Sequence, residues 1–177
     1  MALPLANVAK YELTLPSQQK TINFRPFLVK EEKILLMAME SGESKEMISA
    51  IKEIVKSCTF GELLAENHPM FDIEYLFIKI RAVSVGETVK LNLTCQEEQC
   101  NGTGEVTVNL DDIQCTKPTG VEPKIMITDE LGVVLRYPDW NLMEGVQKID
   151  SNQQPIEMLK ACITEIFDSE SVYDADD

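Results

Sequence analysis

The chain has 177 residues, 44% of them apolar and 26% charged, and its formal net charge is −14. This length and composition are typical of a globular protein with its own hydrophobic core, and they exclude a largely disordered chain. The acidic balance argues against nucleic-acid binding, which needs clustered Lys and Arg at the phosphates. Strongly apolar runs such as Ile34–Met39 are far shorter than the roughly 20 residues that span a bilayer, so no membrane span is predicted.

The N-terminal segment, residues 1–27, is predicted to be an extended arm. Within it, Tyr11–Leu15 alternates apolar and polar side chains, and Thr21–Phe24 forms a second extended stretch after the turn at Pro16. The two stretches therefore predict a short hairpin at the edge of the fold.

Residues 28–86 have a helical period and predict a helical region. The first helix starts near Leu28 and ends at Gly42, the second has Ser44 as its N-cap, and a third covers residues 71–83 and ends before Gly86. Lys30–Lys33 supplies the polar face of the first helix. The apolar side chains that share the predicted core faces are Leu28, Leu35, Leu36, Met39, Met47, Ile48, Ile51, Val55, Cys58, Ile73, Leu76, Phe77, Ile80 and Val83.

Residues 87–137 change to a period of two and predict a β-hairpin region. Two strand pairs are expected, and together they indicate a small, mainly antiparallel sheet. Their inward-facing side chains are predicted to be Val89, Leu91, Leu93, Val106, Val108 and Leu110 in the first pair, and Ile125, Ile127, Val133, Leu135 and Tyr137 in the second.

Residues 138–167 predict C-terminal helices. Asp139 is suited to cap a short helix that runs through Val146, and Pro155 opens a last helix whose core face holds Leu159, Cys162, Ile163 and Ile166. Residues 168–177 form an acidic tail that we expect to fray, or to be anchored on a neighbour by Val172 and Tyr173.

This order of elements, helices first and strands later, predicts an α+β fold. We expect a helical N-terminal half packed with a small antiparallel sheet and closed by a C-terminal helix, all in one compact domain.

Enzymatic chemistry lacks a recognisable pattern in this sequence. The single histidine, His68, lies between Asn67 and Pro69 in a predicted loop, and neither type of glycine-rich phosphate-binding loop is present. The many carboxylates are scattered over polar faces and form no identifiable acid–base pair. We therefore expect no catalysis and no cofactor.

The five cysteines leave a metal site open as an alternative. An odd number of cysteines without a secretory signal favours reduced thiols, and Cys58 and Cys162 fall on apolar helical faces. Cys95 and Cys100 flank the predicted hairpin tip, with Cys115 after the second strand, so these three are the zinc candidates of a zinc-ribbon binding module. Structural zinc usually takes four ligands, and the other possibilities are free thiols or a Cys95–Cys100 disulfide.

Several stretches in the same order resemble the baseplate hub family of T4-type contractile-tailed phages. These are Arg25–Lys33, Leu36–Ser41, the helix ending Arg81-x-x-Ser-Val-Gly-Glu87, and Val106–Asp112 after the hairpin tip. The resemblance covers roughly residues 20–165. Relatives often have Cys-x-x-Cys at the tip, whereas the gap here is longer. For Arg81, Ser84, Gly86 and Glu87, the residue chemistry itself favours a structural role at the end of the helix.

The resemblance implies a non-enzymatic structural or assembly protein of the phage tail baseplate hub, which binds other tail and hub proteins. The alternative within this class is a transient hub-assembly chaperone that is absent from the mature virion. The protein would be found in the host cytoplasm during assembly and in the tail baseplate of the virion. Three candidate contact surfaces are the arm at residues 2–24, the hairpin tip at residues 95–104 and the acidic tail at residues 168–177.

Overall fold

The computed structural model describes residues 8–97, 100, 102–116, 122–146 and 148–174. It confirms the α+β class. The helices are α1 Val29–Ser41, α2 Ser44–Cys58, α3 Met70–Val85, α4 Trp140–Val146 and α5 Gln154–Cys162, with a short 3-10 helix at Ala65–Asn67. The strands are β1 Tyr11–Thr14, β2 Thr21–Phe24, β3 Thr88–Thr94, β4 Thr103–Asn109, β5 Lys124–Met126, β6 Gly132–Leu135, β7 Ile163–Phe167 and β8 Val172–Asp174.

The chain divides into two compact units. The first comprises Met1–Leu64 and Phe71–Thr116, and the second comprises Ala65–Met70 and Lys117–Asp177. Across the described residues, none of the helices combines the length and the apolar character that crossing a bilayer would need.

Helices α1 to α3 lie close to where the sequence predicts them, and glycines mark two of their ends. The predicted N-cap Ser44 is wrong by one position: Ser44 is the first residue of α2, and Glu43 is its N-cap. Gly42 follows α1 with a φ of 69°, and Gly86 follows α3 with a φ of 137°. Both values lie where the Cβ of any other residue is disfavoured, so glycine can adopt this backbone conformation at low cost. At the start of α1, the Glu31 carboxylate accepts the backbone N–H of Leu28 at 2.9 Å.

The core of the first unit differs in part from the predicted faces. The prediction is wrong for Leu28, Leu36 and Met39, which are exposed, and for Glu31, which is buried. In α1 the buried apolar residue is Ala38, because the face that packs inward is offset from the predicted stripe. The most deeply buried apolar side chains of this unit are Leu15, Ile22, Ile54, Val55, Cys58, Leu63, Ile73, Leu76 and Ile80.

The N-terminal hairpin forms as predicted, but it is not a free arm. Strands β1 and β2 are antiparallel with Tyr11 opposite Phe24, and the Arg25 N–H donates to the Cys58 carbonyl at 2.9 Å. Ile22 and Phe24 are buried, as is Leu15 in the turn. The hairpin therefore contributes Leu15, Ile22 and Phe24 to the core, whereas residues 1–7 of the proposed arm lie outside the described residues.

The second unit contains a four-stranded antiparallel sheet with the order β5-β6-β7-β8. The predicted pair β5–β6 is confirmed, but the predicted burial of Ile125, Ile127 and Tyr137 is wrong, since all three are exposed. The prediction of one helix through Ile166 is wrong: α5 ends at Cys162, and Ile163–Phe167 is the strand β7 beside β6. Consequently Leu159 is exposed and not part of a core face.

The acidic tail continues this sheet. Strand β8 pairs with β7 and places Tyr173 opposite Ile166, after a turn in which the Asp168 carboxylate accepts the N–H groups of Glu170 and Ser171. Through β8, the tail is part of the sheet of the second unit as far as Asp174. Residues 175–177 lie outside the described residues.

Two residues that were predicted to start helices in the second unit do so. The Asp139 carboxylate accepts the backbone N–H of Leu142 at 2.8 Å and so caps α4. Pro155 lies in the first turn of α5, where its missing N–H leaves no helical hydrogen bond unmade.

Candidate functional site

The hairpin β3–β4 has one apolar face and one polar face. Directly opposed residues of an antiparallel pair share a face, and successive residues alternate. The apolar face consists of the pairs Val89↔Val108, Leu91↔Val106 and Leu93↔Gly104. The polar face consists of the pairs Thr88↔Asn109, Lys90↔Thr107, Asn92↔Glu105 and Thr94↔Thr103.

The apolar face of this hairpin is not covered. Leu91, Leu93 and Val106 are 44, 53 and 43% exposed, and Val89 and Val108 are half-buried. In the part of the chain that the structure describes, β3 and β4 pair only with each other. The predicted burial of this face is therefore wrong, except at the base of the hairpin, where Leu110 is buried.

The base of the hairpin is held firmly to α3. The Leu110 N–H donates to the Glu87 carbonyl at 2.6 Å and closes the ladder. The ammonium group of Lys79 donates to the carbonyl oxygens of Leu110 and Asp111 at 2.9 and 3.0 Å, and it lies 5.4 Å from the ring centroid of Tyr75. The base is thus fixed, while the apolar face beyond it is open to solvent.

Negative charge surrounds the two ends of this hairpin. The exposed carboxylates there are Glu87 and Asp111 at the base, Asp112 just beyond, and Glu97 near the tip. Lys90 is paired with Glu105 at 2.8 Å on the polar face. These four carboxylates, at the two ends of the hairpin that carries the apolar strip, are called the acidic border below.

The hairpin tip brings two of the three zinc candidates together. Cys95 and Cys100 are exposed, and the Cys95 side chain is a hydrogen-bond partner of the Cys100 thiol. The N–H of Gly102 and this bond from Cys95 lower the pKa of Cys100. Within the described ranges, no group of three or more His, Cys, Asp or Glu side chains is placed to hold a metal ion, so Cys115 does not complete a set.

The remaining cysteines are poor ligands. Cys58 is fully buried, and burial raises its pKa to about 11, although the charge of Arg25 opposes that rise. Burial also raises the pKa of Cys162. The thiolate is the form that binds metal and attacks other sulfurs, so both residues act as apolar core side chains.

The junction at the end of α3, which includes Ser84, Gly86 and Glu87, has structural contacts. The Ser84 hydroxyl donates to the Ile80 carbonyl at 2.5 Å and accepts the N–H of Phe27 at 3.0 Å. The N–H of Gly86 donates to the Ala82 carbonyl, and the carbonyl of Glu87 accepts the N–H of Leu110. One guanidinium nitrogen of Arg81 is buried without a hydrogen-bond partner.

His68 lies half-buried in the turn after the 3-10 helix, and its N–H donates to the Ala65 carbonyl at 3.4 Å.

Comparison with known proteins decides the family. The family model described as "T4 bacteriophage base plate protein" matches residues 8–177, nearly the whole chain. The chain belongs to this family. No curated protein and no solved structure matches it.

Membership in the T4 base plate family makes the chain a structural protein of a phage baseplate, located in the tail baseplate of the virion and in contact with other baseplate proteins. A structural family of this kind indicates a protein without catalytic activity. The uncovered hairpin is the feature of this base plate protein that best suits contact with a neighbour.

The sequence predicts which side chains share the apolar face of β3–β4, but it does not predict that this face is exposed. The period of two identifies which side chains share a face, whereas burial depends on what packs against that face. The Lys79 contact was also missed, because its partners are backbone carbonyls more than thirty residues away, at Leu110 and Asp111.

Proposed function

We propose that this base plate protein acts in the baseplate hub and docks onto another hub protein through the apolar face of β3–β4. The observation that carries the proposal is the row of exposed aliphatic side chains on that face. Soluble monomeric proteins seldom leave a contiguous apolar strip open unless it is a binding surface.

The energetics of the hairpin support this role. A two-stranded hairpin alone is marginally stable in water and usually needs further strands or a packed face. Here the bonds at Glu87 and Lys79 hold the base, so the hairpin is presented in one orientation before a partner arrives. Complete burial of a leucine contributes about 1.5–3 kcal/mol. Leu91 and Leu93 are 44 and 53% exposed, so covering both on docking gains about the value of one complete leucine.

The acidic border indicates the chemistry of the partner. A matching surface would combine an apolar strip with flanking Lys or Arg side chains, since opposite charges steer the encounter and fix the register. A second copy of this chain is disfavoured, because it would bring the same carboxylates, Glu87, Glu97 and Asp111, against themselves and carries the same net charge of −14.

Two double variants test the proposal with the same change in charge. L91K/L93K puts two lysines on the apolar face, and N92K/T94K puts two lysines on the polar face of the same strand. Each is supplied in trans during infection by a phage that lacks this gene, and completed hubs and infectious particles are counted. Because the two leucines together gain about 1.5–3 kcal/mol when their exposed halves are buried, L91K/L93K should weaken docking at least about tenfold, whereas N92K/T94K should assemble normally.

Denaturation curves of both variants check that they fold. Normal particle yield with folded L91K/L93K would reject the apolar face as the docking surface. An equal loss with both variants would assign the defect to charge. Mass spectrometry of purified particles then separates a resident hub component, present in fixed stoichiometry, from an assembly factor that is needed but absent from the particle.

A further inference from the structure

The tip of the β3–β4 hairpin carries two exposed thiols that the docking face does not use. The ladder continues past Thr94↔Thr103, since the N–H of Cys95 donates to the Gly102 carbonyl at 2.8 Å. The N–H of Cys100 donates to the Glu97 carbonyl at 3.0 Å, which turns the chain back toward Cys95.

Gly102 leaves the space that the Cys100 thiol occupies. A Cβ built at Gly102 would lie 3.3 Å from the Cys100 Sγ, which is closer than most real contacts of a Cβ. Because Gly102 is bonded to Cys95 across the ladder, the sulfur of Cys100 is held beside the Cys95 side chain, its hydrogen-bond partner.

We infer that Cys95 and Cys100 form a modification site, a vicinal dithiol that small-molecule disulfides such as glutathione disulfide oxidise to an intrachain disulfide. The inference stands apart from the docking role of the hairpin. It requires only the placement of the two sulfurs at the tip and their exposure to solvent.

The step balances as two successive thiol–disulfide exchanges. The Cys100 thiolate attacks one sulfur of glutathione disulfide, the glutathione S–S bond breaks, and one glutathione leaves as a thiolate. The Cys95 thiolate then attacks the Cys100 sulfur of the mixed disulfide and releases the second glutathione. The protein loses two electrons and two protons, and the glutathione disulfide is reduced to two glutathione molecules.

Cys100 is the attacking residue for a physical reason. The hydrogen bonds from Gly102 and Cys95 stabilise its thiolate, so a larger fraction of it is reactive near neutral pH. The other thiols are set apart by their surroundings: Cys58 and Cys162 are buried, and Cys115, although exposed, belongs to no cluster with the pair in the described part of the chain.

The experiment uses the full chain, purified under reducing conditions and then exposed to a series of glutathione redox buffers. Remaining thiols are blocked with N-ethylmaleimide, and the position of any disulfide is read by fragmentation mass spectrometry. The variants are C95S, C100S, the matched control C115S and G102A, in which the added methyl displaces the Cys100 sulfur.

In the wild-type chain and in C115S, the thiols of residues 95 and 100 should disappear together and yield one disulfide without bound glutathione. C95S should stop at a mixed disulfide on Cys100, C100S should react more slowly at Cys95, and G102A should need a more oxidising buffer. The inference is wrong if both thiols of the wild-type chain still react with N-ethylmaleimide after treatment with excess glutathione disulfide. It is also wrong if Cys115 forms a disulfide with either Cys95 or Cys100.

Discussion

The ring of Phe167 lies against the backbone of Gly132, its partner across β6 and β7. A Cβ built at Gly132 would be 2.1 Å from the Cζ atom of the ring, and the Lys124 ammonium group lies 3.9 Å from the ring centroid. The absence of a side chain at Gly132 thus lets Phe167 pack, 8% exposed, over the centre of the sheet.

Gly132→Ala should destabilise the protein by about 2 kcal/mol, because the methyl group forces the ring out of its position. The measurement is the free energy of unfolding in urea. Gly104→Ala is the matched control: this glycine is also in a strand, has nothing within 4 Å of an added Cβ, and should change stability little. If the two variants have the same free energy of unfolding, the Phe167 ring can move aside without a loss of stability, and the prediction is wrong.

Asp72→Ala should cost about 1–3 kcal/mol, since it removes a buried acceptor. Asp72 is fully buried, and its carboxylate accepts the backbone N–H of Ser17 at 3.0 Å and also the hydroxyl of Ser17. Thermal or urea unfolding gives the loss. Glu74→Ala, at an exposed position of the same helix, should leave stability almost unchanged. A similar loss there would point to the removed negative charge as the cause, since alanine itself favours the helix.

Glu31 should make stability depend on pH. Burial by itself would raise the pKa of Glu31, but the hydrogen bond from Arg25, the N–H of Leu28 and the charge of Arg25 together lower it from its ordinary 4.5. A carboxylate with a lowered folded-state pKa stabilises the fold fully above its unfolded pKa, and this contribution is lost as the pH falls through the folded value.

Glu31→Gln should therefore lose about 3 kcal/mol near pH 7, because the Arg25 guanidinium, 3.0 Å from Glu31, is left without its counter-charge. The gap in unfolding free energy between wild type and variant should narrow below pH 4.5. Urea titrations at a series of pH values measure it. Glu32→Gln, exposed on the same turn, is the control, and a constant gap for Glu31→Gln would contradict the linkage.

Leu110 and Leu93 should respond differently to truncation, although both belong to the hairpin sequence. Leu110→Ala should cost about 2–4 kcal/mol, because a buried leucine leaves a cavity at the base. Leu93→Ala should cost under about 1 kcal/mol in the isolated chain, since Leu93 is 53% exposed. If Leu93→Ala is as damaging as Leu110→Ala, the apolar face is covered in solution.

Three helix boundaries could be predicted because their signals are local. Gly42 and Gly86 end helices through their own backbone conformation, and Asp139 caps α4 through an N–H three residues away. No partner distant in sequence is needed for any of these three, so the amino acids at the boundary are sufficient.

The switch from α5 to β7 could not be predicted in this way. Leu159, Cys162, Ile163 and Ile166 fit a helical period, but Ile163 and Ile166 are β-branched and become extended beside β6, where Val133 is the partner of Ile166. Pairing between segments thirty residues apart overrides the local pattern.

Long-range contacts also explain the other errors. Asp72 is buried against Ser17, fifty-five residues earlier, and the sequence next to Asp72 does not indicate this contact. Similarly, the sequence around Leu91 gives the amphipathic pattern of the hairpin, but the presence or absence of a covering layer is decided elsewhere in the chain.

The contact between Lys79 and the carbonyls of Leu110 and Asp111 has a mechanical consequence. Because the ammonium group of Lys79 joins the base of the hairpin to α3, we expect a change in the hairpin to alter the stability of the helix around Lys79. Binding of a partner to the apolar face of β3–β4 should therefore change the hydrogen exchange of backbone amides near Lys79, away from the contact itself.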